Sequence, residues 1–143
     1  MGLARLLMVC GLFIFGFSNG YGSEKWESVK FVEGAETVSL DQVKKMLADG
    51  VLFIDVRSAR QFGKRHIPGA INLFVNEGFT EENLLKKINK DSDFVVYCNG
   101  ANCGLSSKAA RKAVLWGFTG VKYFREGVKA WRLNGNPLEY GAQ

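Results

Sequence analysis

"DFVVYCNGANCGLSSKAARKAVLWG", residues 93–117, changes character twice. Phe94 to Tyr97 are all β-branched or aromatic, the composition of a short strand buried on both faces. From about Ser106, small, basic and apolar residues follow in a helical pattern, and Gly117 supplies the stop. Between the two lies an uncharged loop. Cys98 closes the strand and Cys103 follows five residues later. A strand that feeds a helix through a short loop is the repeating unit of an α/β sheet. Ligands of such sheets bind at the carboxyl ends of the strands, and Cys98 stands at one of those ends.

The flanking sequence repeats the unit. Ser39 and Gln42 form a capping box for "LDQVKKML", in which Leu40, Val43 and Leu47 share a face until Asp49-Gly50. "VLFID" (51–55) reads as a buried strand, "SARQF" (58–62) as a helical turn, Pro68-Gly69 as a turn, and Ala70 to Leu73 as a further strand. Thr80 caps "EENLLKKIN", whose two leading acids suit a helix N-terminus. "VKYF" (121–124) and "GVKAWRLNG" (127–135) add a strand and a short helix. Four alternations predict an α/β fold in three layers, a small and mainly parallel sheet with helices on both faces. The domain spans 36–139, preceded by a lead-in over 21–35 with Trp26 and Phe31-Val32 as docking points.

The whole chain, 143 residues, fits one domain. It is 47% hydrophobic with 11 Phe, which excludes a disordered chain. The formal charge of +5 is scattered rather than striped. That argues against nucleic acid and mildly favours small anions. Residues 1–20 have the plan of a signal peptide: one Arg, the uncharged run "LLMVCGLFIFGF", then small residues with a cut after Gly20. The expectation is a periplasmic or secreted protein. Membrane contact arises only if that segment is retained as an anchor, and the run is shorter than the roughly 20 residues of a span. Cleavage removes Cys10 and leaves Cys98 and Cys103 in an oxidising compartment, where a disulfide between them is one reading.

The loop itself suggests another. Gly100 and Gly104 are expected to free the backbone for positive φ, so that the amides of Asn99, Gly100, Ala101, Asn102 and Gly104 curl into an anion cradle at the helix N-terminus. Such a cradle stabilises a thiolate, making Cys98 a nucleophile. A buried, inert Cys98 is the plain alternative.

A second stretch separates them. Within "DVRSARQFGKRHIPGAINL" (55–73), Asp55-Val56-Arg57, Phe62 and His66 to Ile71 stand where the rhodanese family places its N-terminal signature, which the stretch resembles. Cys98 matches that family's active-site cysteine. "REGVKAWRLNGNPLE" is similar to its closing segment, with Trp131, Gly135 and Pro137. The resemblance covers about 36–139. It implies a rhodanese-like fold and a sulfurtransferase, a transferase that moves sulfane sulfur through a Cys98 persulfide. The donor would be thiosulfate or polysulfide, and the acceptor a thiophilic small molecule or a protein thiol. No cofactor is implied.

Many single-domain relatives carry Arg where this chain has Cys103, and their loop is shorter. Without that charge thiosulfate should bind less well, and phosphatase chemistry is disfavoured. Cys103 is then a resolving thiol, a reversible protector of Cys98 or a loop filler. A structural zinc site wants about four ligands; Cys98, Cys103 and His66 are too few, so no metal is expected. His66 reads as structural, and Asp55 and Arg57 as residues that shape the site. Two rival functions remain: a non-catalytic binding or sulfur-relay module, and a thiol–disulfide oxidoreductase using Cys98 and Cys103.

Overall fold

Phe94–Tyr97 is the middle strand of a five-stranded, wholly parallel sheet, and all four of its residues are buried. The computed structural model describes residues 27–142. The expected leader, its cleavage point, Cys10 and Trp26 lie outside the described residues. Within them the order is β1 (Glu36–Thr37), α1 (Leu40–Ala48), β2 (Leu52–Asp55), α2 (Ala59–Lys64) and β3 (Ile71–Asn72). Then follow α3 (Glu81–Leu85), β4 (Phe94–Tyr97), α4 (Leu105–Leu115), β5 (Val121–Phe124) and α5 (Gly127–Leu133). The strands lie in the order β1-β5-β4-β2-β3. Each of the two edge strands is only two residues long, which leaves little unpaired backbone to recruit another chain.

Alternation along the strands builds the two other layers. Ile54, Phe94, Val96, Cys98, Val121 and Tyr123 face one way and pack with Leu84 of α3 and Ala109, Ala110 and Ala113 of α4. Phe53, Val95, Tyr97 and Phe124 face the other way, toward Val43 of α1, Phe62 of α2, and Val128 and Trp131 of α5. The three-layer α/β expectation is met. The three alanines of α4 let that helix lie close to the central strands, beneath the cysteine loop.

Local signals set most boundaries. The Ser39–Gln42 capping box is formed in both directions, and Ser58 and Thr80 cap α2 and α3 through their side chains. Helix α3 ends earlier than the pattern predicts. The Lys87 amide bonds the Leu84 carbonyl, which tightens the chain out of the helix before residues 88–89. In the lead-in Val32 is buried as expected, but Phe31 is 76% exposed and, among the described residues, joins neither side of the core. Among the described residues no helix is long and apolar enough to cross a membrane.

Candidate active site at the Cys98 loop

β4 carries Cys98 to the carboxyl edge of the sheet and turns its side chain under α4, where it is 0% exposed. Ser106, in the first turn of α4 and equally buried, donates its hydroxyl to Cys98 Sγ at 3.4 Å. The carbonyl oxygen of Cys103 lies 3.2 Å from the same sulfur. Cys98 and Cys103 are joined as a disulfide, with their Cα atoms 6.4 Å apart. The first of the readings left open for the pair is therefore the state seen here.

The loop between them is braced from several sides. The Cys98 carbonyl accepts from the Val128 amide (3.0 Å), and the Asn99 carbonyl from the Lys129 amide (2.9 Å), so the start of α5 grips the loop. Asn99 Oδ1 accepts from Arg57 Nη1 at 3.1 Å. The Ala101 carbonyl accepts from both the amide (2.7 Å) and the hydroxyl (2.9 Å) of Ser28. Ser28 is fixed in turn by the Tyr123 hydroxyl and the Arg125 guanidinium.

The expected glycine geometry needs correction. Neither Gly100 nor Gly104 has a positive φ; Gly104 sits at φ −82° as the N-cap residue of α4. Gly100 is small for a different reason: a Cβ there would lie 3.3 Å from the Glu126 carbonyl oxygen. The left-handed residue is Gly127 (φ +61°), at the start of α5. The Cys103 amide, which is not among the expected cradle groups, bonds the Gly100 carbonyl. Among the described residues the amides of Asn99, Gly100, Ala101, Asn102 and Gly104 make no backbone hydrogen bond, and α4 has no side-chain cap. Cys98 Sγ is within reach of Ser106 in the first turn of α4, and a helix N-terminus without a side-chain cap favours negative charge near it.

Asp55 and Arg57 form a buried pair, 0% and 2% exposed. Arg57 Nε donates to both carboxylate oxygens (2.9 and 3.1 Å), and Nη2 donates to Oδ2 at 2.5 Å. Nη2 also reaches the Arg65 carbonyl (2.8 Å). The pair is thus both a buried ion pair and, through Asn99, a border of the loop. Behind it the Tyr97 hydroxyl accepts from the Ile67 amide at 3.1 Å. Burial first, and the Asp55 charge second, push that phenol well above its ordinary pKa.

His66 sits in the cross-link between the turn and the C-terminal segment. Its ring stacks on Phe62 (centroids 3.7 Å apart), and Nδ1 is 3.0 Å from the Phe62 carbonyl. Its backbone exchanges two hydrogen bonds with Glu139. This is a structural setting. Among the described residues no three His, Cys, Asp or Glu side chains converge as a metal site would need.

Beside the loop opens a cleft of about 580 Å³. Its walls include Cys103, Asn102, Arg65, Glu126, Lys129 and Arg132, but not Cys98. The sequence reading missed these three cations, as it missed Ser28 and Ser106. Ser106 alone left a signal, as a hydroxyl in the first turn of the helix after the cysteine.

Residues 39–134 match the model of the Rhodanese-like domain family. The chain is 36% identical over 100 residues to an HTH-type transcriptional regulator of Mycobacterium tuberculosis. That match takes in 70% of this chain but only 42% of the regulator. It is 31% identical over 112 residues to thiosulfate sulfurtransferase 16, chloroplastic, of Arabidopsis thaliana, covering 72% of this chain and 92% of the relative. A crystal structure of a Bacillus halodurans protein superposes with a TM-score of 0.66 at 28% identity, over 74% of this chain and 77% of that one. The chain belongs to the Rhodanese-like domain family, and its parallel five-stranded sheet flanked by helices is that family's fold.

Proposed function

We propose that the protein is a sulfurtransferase with Cys98 as its sulfur carrier. The observation that carries this reading is the setting of the Cys98 sulfur. It is buried at the end of the central strand and receives the Ser106 hydroxyl from the first turn of α4, a helix whose N-terminus has no side-chain cap. In the reduced protein the Cys98 thiolate attacks the outer sulfur of thiosulfate. The new S–S bond makes a persulfide and sulfite leaves with the electron pair. A thiophilic acceptor then takes the outer sulfur and returns the thiolate. The loop amides are suited to hold the persulfide's charge. The Arabidopsis relative's name as a thiosulfate sulfurtransferase supports the donor class.

The test uses pre-reduced protein. Incubation with thiosulfate or polysulfide should add one sulfur to Cys103→Ser but none to Cys98→Ser. Thiocyanate formation from thiosulfate and cyanide should vanish with Cys98→Ser. A sulfur found on Cys103 instead would sink the assignment. The disulfide favours a second reading, a thiol–disulfide oxidoreductase, for which insulin reduction dependent on both cysteines is the measurement. Silence in both assays would leave the non-catalytic module.

A further inference from the structure

The cleft and the disulfide meet at one sulfur. Cys98 is sealed from solvent, whereas Cys103 is partly exposed and lines the cleft. A thiolate cleaves a disulfide by attacking one of its two sulfurs, and access and the quality of the leaving thiolate decide which. Here both criteria choose the same direction. Cys103 can be reached. Cys98 is the better leaving group, because the Ser106 hydroxyl and the uncapped start of α4 await its charge.

The cleft also selects its visitor. Among the described residues Glu126 is the one acid lining the cleft with Arg65, Lys129 and Arg132, and none of the three cations is in an ion pair. Its volume of about 580 Å³ lies within the roughly 300–1,000 Å³ that holds small organic ligands.

We infer that the oxidised protein is opened by a small anionic thiol that enters the Arg65–Lys129–Arg132 cleft and attacks Cys103, not Cys98. The incoming thiolate bonds to Cys103 Sγ, the Cys98–Cys103 bond breaks, and Cys98 departs with the electron pair as a thiolate. A second thiol attacks the incoming sulfur, frees Cys103 as a thiolate and leaves as the oxidised dimer. Two thiols are oxidised and two cysteines reduced. The purpose of this release rests on the reading of Cys98 as sulfur carrier, while its chemistry rests on the disulfide and the cleft. Cys103 is then the gate through which the buried carrier is switched on.

The experiment exposes oxidised protein to glutathione, 2-mercaptoethanol or cysteamine at matched thiolate concentration. Acid quenching freezes exchange, and maleimide then marks free thiols in the unfolded chain under mildly acidic conditions. Both cysteines fall on one tryptic peptide, residues 91–108, and fragmentation between them locates each label. The expected pattern is probe on Cys103 and maleimide on Cys98. In low salt anionic glutathione should react about ten-fold faster than cationic cysteamine. The gap should close near 1 M salt, where screening acts within about 3 Å. The double substitution Lys129→Glu and Arg132→Glu should reverse the order. Probe on Cys98, equal partition, or rates indifferent to charge and salt would overturn the inference, and the wild-type measurements need no variant to fold. Thiocyanate formation by pre-reduced protein is scored separately. Its failure overturns the carrier reading while the labelling pattern still decides this one.

Discussion

Replacing Gly127 with alanine tests whether the grip of α5 holds the cysteine loop in place. Gly127 has φ +61°, where an L-residue costs about 1–2 kcal/mol. The new Cβ would also sit 2.8 Å from the Asn99 carbonyl carbon and from the Gly100 nitrogen, and nearer still to the Cys98 carbonyl oxygen. Ordinary contacts start at 3.4 Å, so the loop and α5 must part by more than half an ångström. The Val128–Cys98 and Lys129–Asn99 hydrogen bonds resist that movement. Overpacking of this kind costs about 1–3 kcal/mol. Gly135→Ala is the matched control: φ is +72°, and nothing lies within 4 Å of the added Cβ, so it carries the backbone cost alone. The difference between the two variants isolates the clash. At a slope of about 2 kcal/mol per molar urea, Gly127→Ala should unfold about 0.5–1.5 M earlier than Gly135→Ala. Tryptophan fluorescence of the oxidised proteins reads the midpoints. Equal midpoints would refute the claim that close approach, rather than backbone conformation, demands glycine there.

Three further outcomes are expected. Asp55→Ala leaves Arg57 buried without its partner and should cost about 3–5 kcal/mol in urea unfolding; loss of the exposed Lys86–Glu82 pair, by Glu82→Ala, should leave the urea midpoint essentially where it is. Ser106→Ala removes the hydroxyl that donates to Cys98 Sγ; in a reduced Cys103→Ser background, alkylation of Cys98 by iodoacetamide should slow by about ten-fold or more, since hydrogen bonds to charged groups contribute about 1.5–3 kcal/mol. An unchanged rate would show that the contact does not support the thiolate. The Tyr97 phenol titrates well above its ordinary value in the folded protein, so on raising the pH the unfolded chain loses that proton first. Stability from this group is intact below about pH 10 and falls above it by up to about 1.4 kcal/mol per pH unit. The urea midpoint between pH 9 and 11 should therefore fall less steeply in Tyr97→Phe than in the wild type.

Where a signal was local and continuous, the fold could be read before it was seen. Strands β2, β4 and β5 announced themselves because their residues are almost all apolar, as burial on both faces requires. The caps at Ser39 and Thr80 were legible because the partners lie three residues away. Strand β1 was not, because Glu36 and Thr37 show no strand pattern and are drawn straight by pairing with Lys122 and Tyr123. The site divides in the same way. Cys98 was visible at a strand end, and Arg57 at the end of the neighbouring strand. Ser28 was invisible, since its partners Ala101, Tyr123 and Arg125 lie more than 70 residues away. Arg65, Lys129 and Arg132 read as scattered surface charge until the fold set the end of α2 and the length of α5 around one opening.

That convergence alters the meaning of the uncharged loop. An arginine within it would offer a donor dianion a directional bond worth about 1.5–3 kcal/mol. Arg57 does not replace it, because its charge is matched by Asp55 and its remaining donors go to Asn99 and the Arg65 carbonyl. Arg65, Lys129 and Arg132 are exposed, so each contributes less and through a field that salt screens. The positive charge near the loop stands at the mouth of the site. At the floor, negative charge is left to neutral donors: the Ser106 hydroxyl and the amides at the start of α4. At the mouth, the cations flank Cys103, the residue that stands where the arginine is often found. On the proposed sulfurtransferase reading, a loop built in this way gives up affinity for the donor. In exchange it gains a sulfur that can cover Cys98 and be removed from outside, and the charges that attract the remover are beside it.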